Sequence, residues 1–293
     1  MEPPVHKPVL LEEVLHYLKP EQGQALLDVT AGYGGHARAI LALTGEPSKA
    51  VLVDRDAEAI KALQTEFAPA QILHQDFMSA SQDLCAQGRQ FDMILADLGV
   101  STAHLKTAER GFSFSLDGPL DMRMDQSQKL SAETLVNRAS AKELEDILSK
   151  YGQEPKAREI TRRIIARRVI KTTTELAKIV SGAYRGRSKI HPATRTFQAL
   201  RIAVNDELAQ LEQSLPLWLK LLAPGGRIVV ISFHSLEDRL VKKFLAENSQ
   251  GYDAQLKLLT KKPVTANDAE IVSNPRARSA KLRAAAKIKN RKG

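Results

Sequence analysis

Five short runs rich in valine, isoleucine and leucine recur along the chain and close on polar residues: ALLDVT at 25–30, AVLVD at 50–54, QILHQD at 71–76, FDMILAD at 91–97 and GRIVVISF at 226–233. They have the length of strands, and segments with helical patterns separate them. Near-continuous apolar strands are what a parallel sheet requires when helices cover both of its faces, because neither face meets water. The alternation therefore predicts an α/β fold built on a parallel-dominated sheet.

The first four runs arrive about twenty residues apart, and then the rhythm breaks. Roughly 130 residues separate Asp97 from Gly226, too many for one crossover helix. Within the gap, SAETLVNRASAKELEDILSKYG reads as helical, with Ser131 ahead of Thr134 and Ser140 ahead of Glu143 in the manner of helix starts. The expected organisation is a core of residues 1–105 and 207–293 interrupted by an all-helical domain at 106–206. The segment LEQSLPLWLKLLAPGG predicts the helix before the last major strand, stopped by Pro224 and Gly225. From Pro275 onward no apolar period is visible, so this tail is expected to be extended or to order only with a partner.

Charge is distributed as unevenly as hydrophobicity. The 293 residues hold 43 Lys and Arg against 34 Asp and Glu, a formal net charge of +9. Lys150 to Arg201 alone has fourteen basic and three acidic residues, and Asn274 to Gly293 has eight basic and none acidic. Two such stretches in one chain point to a polyanionic partner, nucleic acid above all. No run approaches the roughly 18 apolar residues that span a bilayer, and acidic residues stand early in MEPPVHKPVLLEEVL where a signal peptide would be apolar. A cytoplasmic protein with no membrane association is expected. The single cysteine, Cys85, has no partner for an internal disulfide and cannot anchor a thiolate metal cluster.

The chemistry is expected at the ends of the strands. Asp28-Val29-Thr30-Ala31-Gly32-Tyr33-Gly34-Gly35-His36 leaves the first strand and enters a helical segment. Its glycines allow a sharp turn and a close approach of ligand to backbone. The pattern GxGG is not a strict dinucleotide fingerprint. An acid at the strand end would repel a pyrophosphate and attract the ammonium of an amino-acid ligand, so Asp28 favours S-adenosylmethionine over NAD. Asp54 closes the second strand where a carboxylate can accept ribose hydroxyls, while Asp56 better suits the cap of the next helix. Asp76-Phe77 follows the third strand and offers a carboxylate and an aromatic face to an adenine.

Asp97-Leu98-Gly99-Val100-Ser101 closes the fourth strand. An exocyclic base nitrogen is a poor nucleophile because its lone pair is delocalised into the ring. It needs an acceptor for its N–H that holds the lone pair in line with the methyl, which Asp97 or the carbonyl of Leu98 provides. Methylation through a ring carbon would need a thiolate at this strand end, and Cys85 lies in the preceding helical segment.

Several long blocks carry a family resemblance over nearly the whole chain. HKPVLLEEVL near the start, DLGVS at 97–101, RGFSFSLDGPLDMRM at 110–124, HPATRTFQALRIAVNDEL at 191–208, SFHSLEDR at 232–239 and NPRARSAKLR at 274–283 resemble the bacterial small-subunit ribosomal RNA (cytosine-N4) methyltransferases. The resemblance implies a Rossmann-like methyltransferase core and an inserted helical domain for RNA recognition. It also implies N4 methylation of a decoding-region cytidine that carries, or will carry, a ribose 2'-O-methyl. Its donor contacts would be Gly34, Gly35, His36, Asp54, Phe77 and Asp97. His104 stands where the family commonly has a glutamine, and unlike glutamine it can become charged near neutral pH. Gly152-Gln153-Glu154 replaces the usual GEE.

For RNA, the candidates are Arg123, Arg195, Arg201 and Asn205 in the blocks flanking the insert, and His234 and Ser235 after the fifth strand, followed by Glu237 and Asp238. The last block reads equally well as a structural network. The implied partner is small-subunit ribosomal RNA or the 30S subunit, with no metal, and a monomer and a homodimer remain equally open. A non-catalytic ribosome-assembly factor is the main rival. Methylation of another amino base lacks its usual Pro-Pro-Tyr-type loop, and an NAD oxidoreductase lacks a hydride-transfer constellation.

Overall fold

The computed structural model describes residues 8–186 and 191–288. The chain forms two compact units, one from the segment up to Gly99 together with Leu208 onward, and one from Val100–Glu207.

In chain order the first unit begins α1 (Leu11–Leu18), β1 (Leu26–Asp28), α2 (Gly35–Thr44), β2 (Val51–Asp54), α3 (Ala57–Glu66), β3 (Gln71–His74), α4 (Phe77–Ala86) and β4 (Phe91–Asp97). The helical unit carries α5 (Thr102–Lys106), α6 (Ala132–Arg138), α7 (Ala141–Gly152), α8 (Ala157–Ile165), α9 (Thr173–Ser181) and α10 (Ala193–Asn205). The first unit then resumes with α11 (Glu207–Leu221), β5 (Leu222–Ser232), α12 (Ser235–Glu247), β6 (Leu256–Leu258), α13 (Asp268–Ser273) and β7 (Lys281–Lys287).

The seven strands form one sheet in the order β3-β2-β1-β4-β5-β7-β6. β1 to β5 pair in parallel, and β7 runs antiparallel to both of its neighbours. Alternate strand residues bury on opposite faces. Leu26, Leu52, Met93, Leu95 and Ile231 pack with Val14, Ile40 and Leu63, while Leu27, Val51, Val53, Ile94 and Val230 pack with Leu84, Leu215 and Trp218. Burial on both faces is why these strands read as unbroken apolar runs.

Two expectations need correction. Pro224 and Gly225 do not stop the helix: α11 ends at Leu221, and β5 already includes both residues. The tail is extended at Lys281–Lys287 but needs no partner to order, because this strand pairs between β5 and β6. Its apolar positions are mostly alanines, too small to register as a hydrophobic run, yet Leu282, Ala284 and Ala285 are completely buried. Its cationic side chains find partners inside the unit. Arg283 donates to Asp238 at 2.6 Å, and Lys287 donates to the carbonyls of Leu219 and Leu222. Lys289, Arg291 and Lys292 of the same basic stretch lie outside the described residues.

The helical unit has its own core, including Leu135, Leu144, Leu148, Ile160, Ile164, Leu176, Val180, Phe197 and Leu200. Its helices start where the sequence signals them: Ser131 caps α6, and Ser140 with Glu143 forms a capping box on α7. Among the described residues, no helix is long and apolar enough to cross a membrane.

Candidate functional site

The strand order reverses between β1 and β4, whose connections leave to opposite sides and open a crevice at their carboxyl ends. The glycine turn lies in this crevice and is stitched to β2 and β4. The Val29 N–H donates to Leu95 O, the Ala31 N–H to Val53 O, and the Gly32 N–H to Asp54 Oδ2 at 2.8 Å. Asp54 also accepts from Asp56 N, while Asp56 caps α3 through Glu58 N, as its position suggested.

The glycines have different reasons to be glycine. Gly34 is left-handed at φ 76°, and a Cβ there would lie 2.2 Å from the Phe67 ring. A Cβ on Gly35 would meet Pro8 at 2.9 Å. Both are therefore demanded by packing. Gly32, at φ 53°, has nothing within 4 Å of its missing Cβ, so it is the one that leaves open space over the turn.

Two carboxyls flank the switch point. Asp28, 1% exposed, accepts from Thr30 N, and desolvation pushes its carboxyl up to about 8, with Asp97 and Asp54 adding repulsion. It is thus mostly protonated near neutral pH in the absence of a compensating cation. Asp97 is tied by its backbone N–H to Thr30 Oγ1 at 2.6 Å. Burial raises its carboxyl above the ordinary range, opposed by His36 and Arg276, and Glu237 adds repulsion. Its Oδ1 is buried and has no hydrogen-bond partner among the described residues.

His36, 6% exposed on the first turn of α2, places Nε2 2.9 Å from the Val9 carbonyl. A carbonyl only accepts, so Nε2 carries the proton and Nδ1 faces Asp97 Oδ2 at 3.7 Å. Phe77 opens α4 half-buried, edge-on to Trp218 with ring centroids 5.8 Å apart. Asp76 is occupied as the cap of α4, accepting from Met78 N, Ser79 N and Ser79 Oγ. The Cys85 sulfhydryl contacts the Leu217 carbonyl at 3.7 Å, and burial raises its pKa, so it is no thiolate nucleophile.

Carboxylates at successive strand ends around a glycine turn suit a cationic, ribose-bearing ligand, and the known proteins that this chain is similar to agree with that chemistry. The model of the MraW methylase family matches residues 4–288. Ribosomal RNA small subunit methyltransferase H from Cyanothece sp. strain PCC 7425 is 51% identical over 288 residues, covering 97% of this chain and 95% of the relative. The proteins of the same name from Nitratidesulfovibrio vulgaris strain DP4 and Acidobacterium capsulatum are 48% and 46% identical, covering 97% and 98% of this chain and 95% and 100% of theirs. The chain belongs to the MraW methylase family.

In this methylase the remaining candidates divide by what their polar atoms already do. Arg123 grips Asp121 through two nitrogens and donates to the carbonyls of Gln126 and Gln128. Burial works against the Asp121 charge, but Arg123 holds that carboxyl below its usual range. Arg201 makes a two-point pair with Glu207 at 2.8 Å. Asn205, 2% exposed, accepts from Met124 N and donates to the carbonyls of Met122 and Arg201. His234 caps α12, accepting from Glu237 N, while Glu237 accepts from the Phe233 and His234 backbones.

These four side chains organise their own surroundings, whereas Arg195 and Ser235 are exposed. His104 lies on α5, 6% exposed and stacked on Phe112 with centroids 4.9 Å apart. The basic stretch also supplies cations that sequence reasoning did not single out: Arg158, Arg162, Arg167, Lys178 and Arg185 are exposed. On α8, Arg158 and Arg162 sit one turn apart, opposite the buried Ile160 and Ile164. That amphipathic spacing was the available signal.

Proposed function

We propose that this methylase transfers a methyl group from S-adenosylmethionine to N4 of one cytidine in the decoding region of small-subunit ribosomal RNA. The observation that carries the reading is Asp97 Oδ1, a buried acceptor at the switch point of the sheet without a hydrogen-bond partner among the described residues. An unmet buried acceptor is costly, and a ligand donor relieves that cost. The relatives named as small-subunit ribosomal RNA methyltransferases supply the substrate class.

When bound, the donor supplies a sulfonium-borne methyl whose C–S bond breaks as the N4–C bond forms, the electron pair going to sulfur. Gly34 and Gly35 shape the turn beneath it, Gly32 leaves the approach open, and Asp54 holds the turn and faces the ribose. Phe77 borders the adenine. Asp28 faces the positive end of the donor, whose charge favours its ionised form. Asp97 accepts an N4–H, which keeps the amine lone pair directed at the methyl, and the N4 proton leaves to solvent after transfer. His36, fixed by the Val9 carbonyl, stands beside Asp97 with Nδ1 3.7 Å from Oδ2. His104 as a further donor contact belongs to the same proposal.

Residues 106–206 act as the RNA-recognition domain, with Arg195 and the exposed arginines of α8 on phosphates and Ser235 nearer the reacting base. Arg123, Arg201, Asn205 and His234 support this surface by holding loops and helix ends. The test is mass spectrometry of ribosomal RNA from cells lacking the protein. The expected result is loss of one N4-methylcytidine from the small subunit, restored by the wild-type gene. An unchanged profile refutes the substrate.

A further inference from the structure

The segment Asn274 to Ser279 was read from sequence as part of a basic tail, but it is docked in the first unit. Ala277 and Ala280 are buried in the same core as Val9 and Leu10, and Leu10 N donates to Glu270 Oε1 at 2.7 Å. Val9 in turn fixes His36, which faces Asp97. This docking brings the half-buried Arg276 over the Phe233 ring, 5.9 Å from its centroid, just beyond the end of β5. β5 pairs with β4 so that Ile231 is level with Asp97. The Arg276 charge is accordingly felt at the Asp97 carboxyl, third after burial and the His36 ring.

A buried acceptor and a planar cation thus stand at one strand edge. Cytosine presents along its pairing edge a donor at N4 followed by acceptors at N3 and O2. Uracil and guanine begin with an acceptor, and adenine offers a donor and one acceptor but only C–H at the third position. A carboxylate followed by a guanidinium, an acceptor followed by two donors in a rigid fork, is complementary to cytosine alone. Resting on the reading above that N4 of cytosine is the methyl acceptor, we propose that Arg276, placed over the Phe233 ring, reads N3 and O2 of the target base and is the specificity-determining partner of Asp97.

The test uses the full-length enzyme with small-subunit RNA substrates carrying cytidine or adenosine at the target position. For Arg276→Gln, kcat on cytidine is expected to fall about 100-fold and the cytidine-over-adenosine preference at least about tenfold, the range that loss of a two-point contact to a base produces. The donor dissociation constant, measured by calorimetry, is expected to stay within about threefold. Arg276→Lys keeps the charge but not the fork, and should lose selectivity as well. Phe233→Leu should give a weaker version of the same kcat effect. An unchanged kcat with a raised KM and a shallower salt dependence would identify a phosphate contact and overturn the proposal. So would unchanged base preference, or loss of donor binding in step with kcat. The nucleoside formed by the wild-type enzyme is identified separately, so a product other than N4-methylcytidine refutes the underlying reading and not merely the role of Arg276.

Discussion

The carboxyl edge of the sheet and the network around Arg123, Arg201 and Asn205 in the helical unit treat buried polar groups in opposite ways. At the sheet edge, Asp28 is sealed in with its carboxyl pushed up to about 8, and Asp97 keeps a buried oxygen without a partner. In the helical unit, Asn205 satisfies two carbonyls and one N–H, Arg123 donates to two carbonyls besides pairing with Asp121, and Arg201 closes on Glu207. Polar groups that satisfy one another are structural glue, and removing one exposes the others. Polar groups left unmet lower stability on their own and are explained by what they bind. Residues that hold the fold are thereby distinguished from residues that wait for a ligand, and the two kinds should respond differently to substitution.

The largest effect is expected at Asp97. Asp97→Ala should lower methyl transfer by about 1,000-fold, within the range for loss of a positioned acid–base group, while circular dichroism and thermal melting show an intact fold. Retained activity would move Asp97 to the structural side. Asp28 should reveal itself through pH. Its folded carboxyl, at about 8, binds a proton more tightly than the unfolded one, so it contributes stability at acid pH that is lost progressively as pH rises through 8. The melting temperature of the donor-free protein should fall over that window, and Asp28→Asn should flatten the slope. Adding the cationic donor near pH 7 should release protons, detectable as a dependence of the calorimetric heat on buffer ionisation enthalpy. Equal heats in all buffers would show that Asp28 is already ionised.

On the structural side, Asn205→Ala strands Met124 N and the carbonyls of Met122 and Arg201. It should cost about 2–4 kcal/mol in denaturant unfolding and leave donor affinity unchanged. A variant that is as stable as the wild type but binds RNA poorly would place Asn205 on the ligand side instead.

The same division explains what could be read from the sequence. The inner parallel strands were legible because burial on both faces demands nearly unbroken apolar runs, and Asp28, Asp54 and Asp97 were legible because each closes such a run. β7 was not, since its buried positions are alanines and its charges find partners such as Asp238, remote in sequence. Arg123, Arg201 and Asn205 stand out in their motifs, but a motif does not say whether a guanidinium faces a phosphate or its own Asp121. Packing also hid behind chemistry at Gly34, whose positive φ and contact with Phe67 are requirements of the fold. The glycines give a paired test. Gly34→Ala should destabilise the protein by about 2 kcal/mol or more because the Phe67 ring must move. Gly32→Ala faces open space and should cost only the left-handed strain, about 1 kcal/mol, yet lose donor affinity. Equal stability losses with equal donor binding would erase the distinction between the two.

The smallest effect on the fold is expected where the side chains are exposed. Arg158 and Arg162 stand exposed on the outer face of α8, so replacing either by Ser should change stability by less than about 0.5 kcal/mol. If they contact phosphates, each replacement should weaken RNA binding uniformly across sequences. It should also reduce the slope of log affinity against log salt by about 0.7, the counterion release expected per contact on single-stranded RNA. The slope matters more than the affinity. A loss of affinity with an unchanged slope would mean that the helix surface, and not the charge, had been altered. An unchanged affinity would mean that this basic face merely solvates its helix and that the RNA is held elsewhere.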